Sequence, residues 1–291
     1  MKPRIAITVG DPAGIGPEIA GKAAAEPAVR AVCEPVIYET AADVPMGQVS
    51  AAAGQAAYDT LVRAVADARA GRVDAIATAP VNKAAFAAAG LPWKGHTDLL
   101  GHLCGAPRVA MMFHAPTLKV VLATVHVALR EVPALLTREL VDATLALTAR
   151  ELPWFGLARP RIALAALNPH AGEGGLFGTE DDAVLAPAVA AAWAAGHDVR
   201  GPFPADTVFV RAVRGEFDCV VACYHDQGLV PIKLLAFGSA VNVTLGLPII
   251  RTSVDHGTAF DIAGQGVADP GSLVHAVRLA ADLAQRRIAV R

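Results

Sequence analysis

The stretch CVVACYHDQGLVPIK, residues 219–233, sets an apolar run directly against a Tyr, a His, an Asp and a Gln. Cys219–Cys223 carries no polar residue to show to water, so it reads as a strand covered on both faces. The polar group that follows then sits at the strand's carboxyl end, where open α/β sheets line their ligand crevice.

The rest of the chain repeats this pattern. Strands are expected over 4–9, 73–78, 108–113, 118–125 and 161–167, and helices over 17–25, 83–89, 138–150, 180–195 and 272–286. Such alternation argues for α/β layers around a largely parallel sheet. Residues 39–54 read as a surface connection.

With 291 residues the chain can hold a large core and two lobes. Lys and Arg total 25 against 27 Asp and Glu, a net charge of −2, so no basic surplus points to nucleic acid. No run of about 18 apolar residues lacks a charge, which argues against a membrane span. The opening MKPRIAITVG has no signal-peptide pattern. The four cysteines form no CxxC pair and are expected as reduced, buried thiols of a cytoplasmic protein.

Three histidines follow strand patterns: His126 after VVLATV, His170 after RIALAAL with Asn168 and Pro169 between, and His225 after CVVACY. Neutral imidazoles suit divalent metals, and three protein ligands leave positions open for substrate. The long spacings leave unrelated loop histidines as the alternative. His102, His114, His197 and His275 read as ordinary surface or core residues. Of the glycine-rich segments, GDPAGIGPE (10–18) is not a dinucleotide fingerprint, because Pro12 stands where a glycine is needed. NPHAGEGG (168–175) leads to Thr179, expected to cap a helix from Glu180. DHGTAFDIAGQGVADPGS (255–272) is a long loop able to approach a ligand with its backbone.

Taken together, GDPAGIGPE, APVNK (79–83), GHTDLL (95–100), TVHVALREV (124–132), LNPHAGEGG (167–175), PADT (204–207), YHDQG (224–228), NVTLGLPIIRTSVDHGTA (242–259) and DIAGQGVAD (261–269) resemble the 4-hydroxythreonine-4-phosphate dehydrogenase, or PdxA, family. The 39–54 segment is shorter than is usual there. The resemblance implies an α/β fold of the isocitrate and isopropylmalate dehydrogenase type. Its two α/β/α lobes, 1–95 with 246–291 and 96–245, flank a central cleft. It implies a homodimer with shared active sites and one divalent ion (zinc, magnesium or cobalt) on His126, His170 and His225. Substrate contacts map to His96, Thr97, Lys233, Asn242 and Arg251, and the NAD loop to His256, Gly257, Thr258, Ala259 and Asp261.

The implied reaction is NAD-dependent oxidation of the 3-hydroxyl of 4-phosphooxy-L-threonine followed by loss of CO2, a step of pyridoxal phosphate synthesis. Three neutral imidazoles would leave the ion its charge, to acidify the hydroxyl and stabilise an enolate. Lys233 and Arg251 offer cations for phosphate or carboxylate. Asp206, Asp226 and Lys233 are the candidate catalytic groups, with the base left open among Asp206, Lys233 and a water. Two alternatives stand beside this reading. One is a related enzyme of a phosphorylated tetronate or of terephthalate cis-dihydrodiol. The other is a non-catalytic metal-binding protein.

Overall fold

The computed structural model describes residues 2–40 and 42–290, the last three by backbone alone. Its strands are β1 (Arg4–Thr8), β2 (Glu34–Tyr38), β3 (Ala75–Thr78), β4 (Ala110–His114), β5 (Lys119–Leu122), β6 (Ile162–Ala165), β7 (Val199–Phe203), β8 (Cys219–Ala222), β9 (Val241–Leu245) and β10 (Arg251–Ser253). Its helices are α1 (Gly16–Ala25), α2 (Pro27–Val32), α3 (Ala51–Arg69), α4 (Lys83–Ala88), α5 (His96–Cys104), α6 (Val132–Leu135), α7 (Arg138–Glu151), α8 (Ala186–Ala194), α9 (Ala205–Val213), α10 (His225–Ala236) and α11 (Gly271–Val290).

The chain divides into two compact α/β units, one running to Val109 and resuming at Gly238, the other spanning Ala110–Phe237. In the first unit the strands lie in the order β2-β1-β3-β10-β9, all pairs parallel except β10 with β9. In the second the order is β4-β5-β8-β6-β7, all pairs parallel except β4 with β5. β6 and β8 are buried and apolar along their length, while β1 and β3 are buried and apolar between an exposed Arg4 at the start of β1 and a terminal Thr on each.

The division differs from the boundaries expected at 95/96 and 245/246, for a packing reason. Leu100 of α5 joins a core cluster with Ala6, Ile76, Leu247 and Ile249, and its neighbour Leu99 joins Ala57, Leu61 and Phe86. Each leucine gains roughly 1.5–3 kcal/mol from that burial, so α5 belongs with the first unit. β9 belongs there too, through its ladder with β10.

Local readings change in three places. Residues 51–54, expected in a surface connection, begin the long helix α3, whose first turn is capped by the Ser50 hydroxyl accepting from the Ala53 N–H at 3.1 Å. Thr179 is not a side-chain cap. The helix starts as a π turn over Asp181–Leu185 with Glu180 at the cap position, and Thr179 only offers its carbonyl to the Ala183 N–H at 2.8 Å. The polar tail of the opening stretch, given no element from the sequence because Gly228 and Pro231 interrupt it, folds into α10. Gly228 is required there, since a Cβ would stand 2.6 Å from Leu122 Cδ2 and 2.7 Å from Val120 Cγ1 of β5.

All four cysteines are buried and unbridged. Burial pushes the Cys219 thiol up to about 12, which makes it chemically inert. Among the described residues no helix is long and apolar enough to cross a membrane.

Candidate functional site

The first unit carries a buried polar row in an otherwise apolar layer. Thr8, Thr78, Ser253 and Asn242 are successive register partners across β1, β3, β10 and β9. Opposed residues share a sheet face, and so do residues two apart on one strand. Arg251 and Thr244 therefore lie on the same face. Leu100 anchors α5 on this face, and the helix's first residue, His96, lies near enough to Arg251 to feel its charge.

Arg251 is 1% exposed. Its Nη2 donates to the Thr78 hydroxyl at 2.8 Å and its Nη1 to the Thr244 hydroxyl at 3.0 Å, while Nε has no partner. Burial without an anion pulls its pKa from 12.5 to about 9. The His96 Nε2 is also buried without a partner. Burial, and then the Arg251 charge, holds this ring far below 6.5 and therefore neutral. Asn242 Oδ1, Thr8 Oγ1 and Asp11 Oδ2 complete the buried unpartnered atoms among the described residues, all in this unit. Asp11 lies 1% exposed, with its pKa raised by burial, and one carboxyl oxygen accepts from the Ala13 N–H at 2.8 Å. Buried polar atoms are rarely left unpaired, so this concentration makes the row the candidate site for a polar ligand. Three of the five residues, His96, Asn242 and Arg251, were legible as candidates in the sequence. Thr78, Thr244, Ser253, Thr8 and Asp11 were not, although β1 and β3 each ending in Thr is a signal in hindsight.

The two motifs GDPAGIGPE and HGTAFDIAGQGVADP form one structural element. The Ile15 N–H donates to the Thr258 carbonyl at 3.0 Å, and a Cβ on Gly14 would stand 2.8 Å from that same oxygen. Glu18 accepts the Ala268 N–H at 2.8 Å and pairs with Lys22 at 2.7 Å, while Lys22 donates to the carbonyls of Gly266 and Ala268. The loop bearing His256, Gly257, Thr258, Ala259 and Asp261 is thus fixed on the first helix of the fold. Ala259 adopts a left-handed φ of 43°, and the His256 Nδ1 lies 2.9 Å from the Gly257 carbonyl.

The second unit holds the three histidines. The Thr124 hydroxyl donates to the Cys223 carbonyl at 2.8 Å, tying the ends of β5 and β8 together. As a result the His126 and His225 rings stand with centroids 5.6 Å apart, on a cavity of about 210 Å³ bordered also by Val132 and Tyr224. His225 Nδ1 lies 2.7 Å from the Asp226 carboxylate. Gln227 spans the next gap, accepting from the Cys223 N–H at 2.7 Å and donating to the Ala166 carbonyl beyond β6 at 2.7 Å.

Past that point the chain turns through left-handed His170 (φ 53°) and Ala171 (φ 56°). The fully buried carboxylate of Asp181 holds this turn by accepting the N–H groups of Leu167 and Asn168 at 2.8 and 3.0 Å. His170 Nδ1 lies 3.0 Å from the Glu173 carboxylate, and its ring meets Phe177 edge-on. Among the described residues no three His, Cys, Asp or Glu side chains form a metal-ligand group. Within one chain the structure pairs His126 with His225 and leaves His170 outside such a group. The donor chemistry nonetheless suits a divalent ion. On both His170 and His225 a carboxylate engages Nδ1, which favours the tautomer with its proton there and leaves Nε2 a lone pair for a ligand.

Of the remaining candidates, Asp226 sits on His225. Asp206 is exposed in the first turn of α9, and Lys233 lies on α10 with its ammonium 5.9 Å from the Phe237 ring. Thr97 follows His96 in the first turn of α5.

The chain is similar to known proteins along most of its length. The family described as pyridoxal phosphate biosynthetic protein PdxA matches residues 15–280. A D-threonate 4-phosphate dehydrogenase of Cupriavidus necator is 45% identical over 98% of this chain and 98% of its own. A 4-hydroxythreonine-4-phosphate dehydrogenase of Geobacter metallireducens is 45% identical over 98% of this chain and 96% of its own. The crystal structure of the Klebsiella pneumoniae 4-hydroxythreonine-4-phosphate dehydrogenase superposes with a TM-score of 0.89 at 42% identity, covering 98% of this chain and 99% of that one. An isocitrate dehydrogenase from Methylococcus capsulatus shares the fold alone, with a TM-score of 0.54 at 16% identity over 98% of this chain and 88% of that one. With a family match over most of its length and relatives at this level of identity, the chain belongs to the PdxA family.

Proposed function

We propose that this chain is an NAD-dependent decarboxylating dehydrogenase. Its proposed substrate is 4-phosphooxy-L-threonine, which it converts to 3-amino-2-oxopropyl phosphate in pyridoxal phosphate biosynthesis. The observation that carries this reading is Arg251, a guanidinium 1% exposed with hydroxyls but no carboxylate on it. Such a charge is costly unless a ligand anion completes it. Neutral His96 beside it adds hydrogen-bonding capacity without a second charge.

When bound, the divalent ion and the nicotinamide supply a positive charge near the hydroxyl and a hydride acceptor. The chain's own groups do the rest. His126, His170 and His225 are the proposed ligands, with Asp226 and Glu173 setting the tautomer of the two they touch. His96, Thr97, Lys233, Asn242 and Arg251 hold the anionic substrate. The loop through His256, Gly257, Thr258, Ala259 and Asp261 holds NAD. Asp206 and Lys233 are the proposed proton carriers.

The proposed assembly is a homodimer in which a second copy completes each site. One feature supports it: the helix that begins with His225 shows solvent an apolar stripe, Val230 and Leu234, continued by Phe237 just past its end.

The relative from Cupriavidus necator favours a second reading, D-threonate 4-phosphate, which differs at C2. Turnover with NAD and a divalent ion decides between them. The first reading expects NADH and CO2 from 4-phosphooxy-L-threonine in equal amounts. Turnover of D-threonate 4-phosphate alone would replace it, and metal uptake with no NADH from either acid would end the enzymatic reading.

A further inference from the structure

We propose that Thr78 is a positioning residue for anion recognition, and that the hydroxyl relay Thr78–Ser253 aims Arg251 at the ligand. This inference rests on the reading of Arg251 as the anion receptor.

The hydrogen bonds around Thr78 run in one direction. Arg251 Nη2 donates to Thr78 Oγ1 at 2.8 Å, the Thr78 hydroxyl donates to Ser253 Oγ at 2.8 Å, and the Ser253 hydroxyl donates to the Thr78 carbonyl at 3.2 Å. The Thr78 hydroxyl also lies 3.4 Å from the Thr252 carbonyl, but the 2.8 Å contact to Ser253 is much the shorter, and with the proton placed on either acceptor Thr78 turns lone pairs toward the guanidinium. Thr244 accepts on the other terminal nitrogen at 3.0 Å. A guanidinium has five N–H donors in a rigid fork. Two hydroxyl acceptors fix its plane and leave Nε, the one nitrogen without a partner, for a ligand.

The choice of hydroxyls matters. A carboxylate in the place of Thr78 would hold Arg251 equally well, but would neutralise the charge and compete with the incoming anion. A hydroxyl satisfies the donor and leaves the charge uncompensated, as the pKa drop to about 9 reflects. The arrangement depends on register. Thr78 faces Ser253 across the β3–β10 ladder, and Arg251 stands two residues before Ser253 on the same face.

Binding of inorganic phosphate to the full-length protein, by calorimetry and by the phosphate-induced rise in Tm, tests the proposal in wild type, R251M, T78V, T78S and S253A. Steady-state KM values for substrate and NAD accompany it. We expect R251M to abolish phosphate binding. T78V should weaken it about tenfold, the scale of one hydrogen bond to a charged group, and raise the KM for the phosphorylated acid in parallel while the KM for NAD stays put. T78S, which keeps the hydroxyl, should restore both to within about twofold of wild type. A Thr78 that merely supported the fold would lower Tm without splitting the two KM values. If T78V binds phosphate like wild type while R251M does not, the relay is refuted and the anion site stands. If R251M also binds like wild type, the reading of Arg251 falls with it. Should T78V fail to fold, S253A decides: weaker phosphate binding supports the relay, and unchanged binding overturns it.

Discussion

The imidazoles of His126 and His225 stand with ring centroids 5.6 Å apart and planes inclined by 42°. They come from the ends of the adjacent parallel strands β5 and β8, joined by the Thr124 hydroxyl on the Cys223 carbonyl. The pairing follows from the ladder itself, and it gives the proposed metal site its first two donors.

His225→Ala and His170→Ala should each abolish retention of zinc or cobalt while the circular dichroism spectrum stays that of the wild type, since each removes one donor from a loop or helix start. Asp226→Asn should weaken metal binding about 10–100-fold, the usual effect of losing a carboxylate behind a ligating imidazole. Metal content by mass spectrometry after dialysis checks all three. Unchanged content in His170→Ala would remove that residue from the set.

Arg251→Met should stabilise the ligand-free protein, because it replaces a buried guanidinium with unsatisfied donors by an apolar chain of similar reach. A gain of about 1–3 kcal/mol is expected, seen as a Tm raised by a few degrees. The same variant should lose activity on any anionic substrate. A lowered Tm would show that Arg251 is compensated in the free protein.

His96 sets part of the acid limb of stability. Its folded pKa lies well below 6.5, chiefly through burial. Below pH 6.5 the unfolded chain therefore binds a proton that the folded chain does not, and stability falls as pH falls, by up to about 1.4 kcal/mol per pH unit. Above pH 6.5 both states are neutral at this position and its contribution is flat. Denaturant melts of wild type and His96→Gln from pH 7 to pH 4.5 should show a shallower decline in the variant. Parallel curves would place the buried proton linkage elsewhere.

Gly14→Ala would press a methyl to within 2.8 Å of the Thr258 carbonyl oxygen. The loop from His256 to Asp261 should shift. The expected result is a KM for NAD raised about tenfold or more with a smaller change for the phosphorylated acid. Equal changes in the two would count against the loop as the cofactor site.

Much of this was legible before folding. Strands buried on both faces are mostly apolar, so β1, β3, β5, β6 and β8 stood out, and the polar residues after them marked strand ends. Arg251, His96 and Asn242 were reachable through their motifs. Helix α3 was missed, its start AAAGQ carrying little amphipathic contrast, and α10 was missed because Gly and Pro interrupt it.

The sequence alone therefore determined the α/β layering and the residues that carry charge and imidazole. Tertiary structure decided which of them meet. Thr8, Thr78, Ser253 and Asn242 form one row only because β1, β3, β10 and β9 are neighbours in register. Arg251 is costly only because that row is covered. Strand order and register are long-range properties, set by which apolar faces pack together, and no local pattern of residues encodes them.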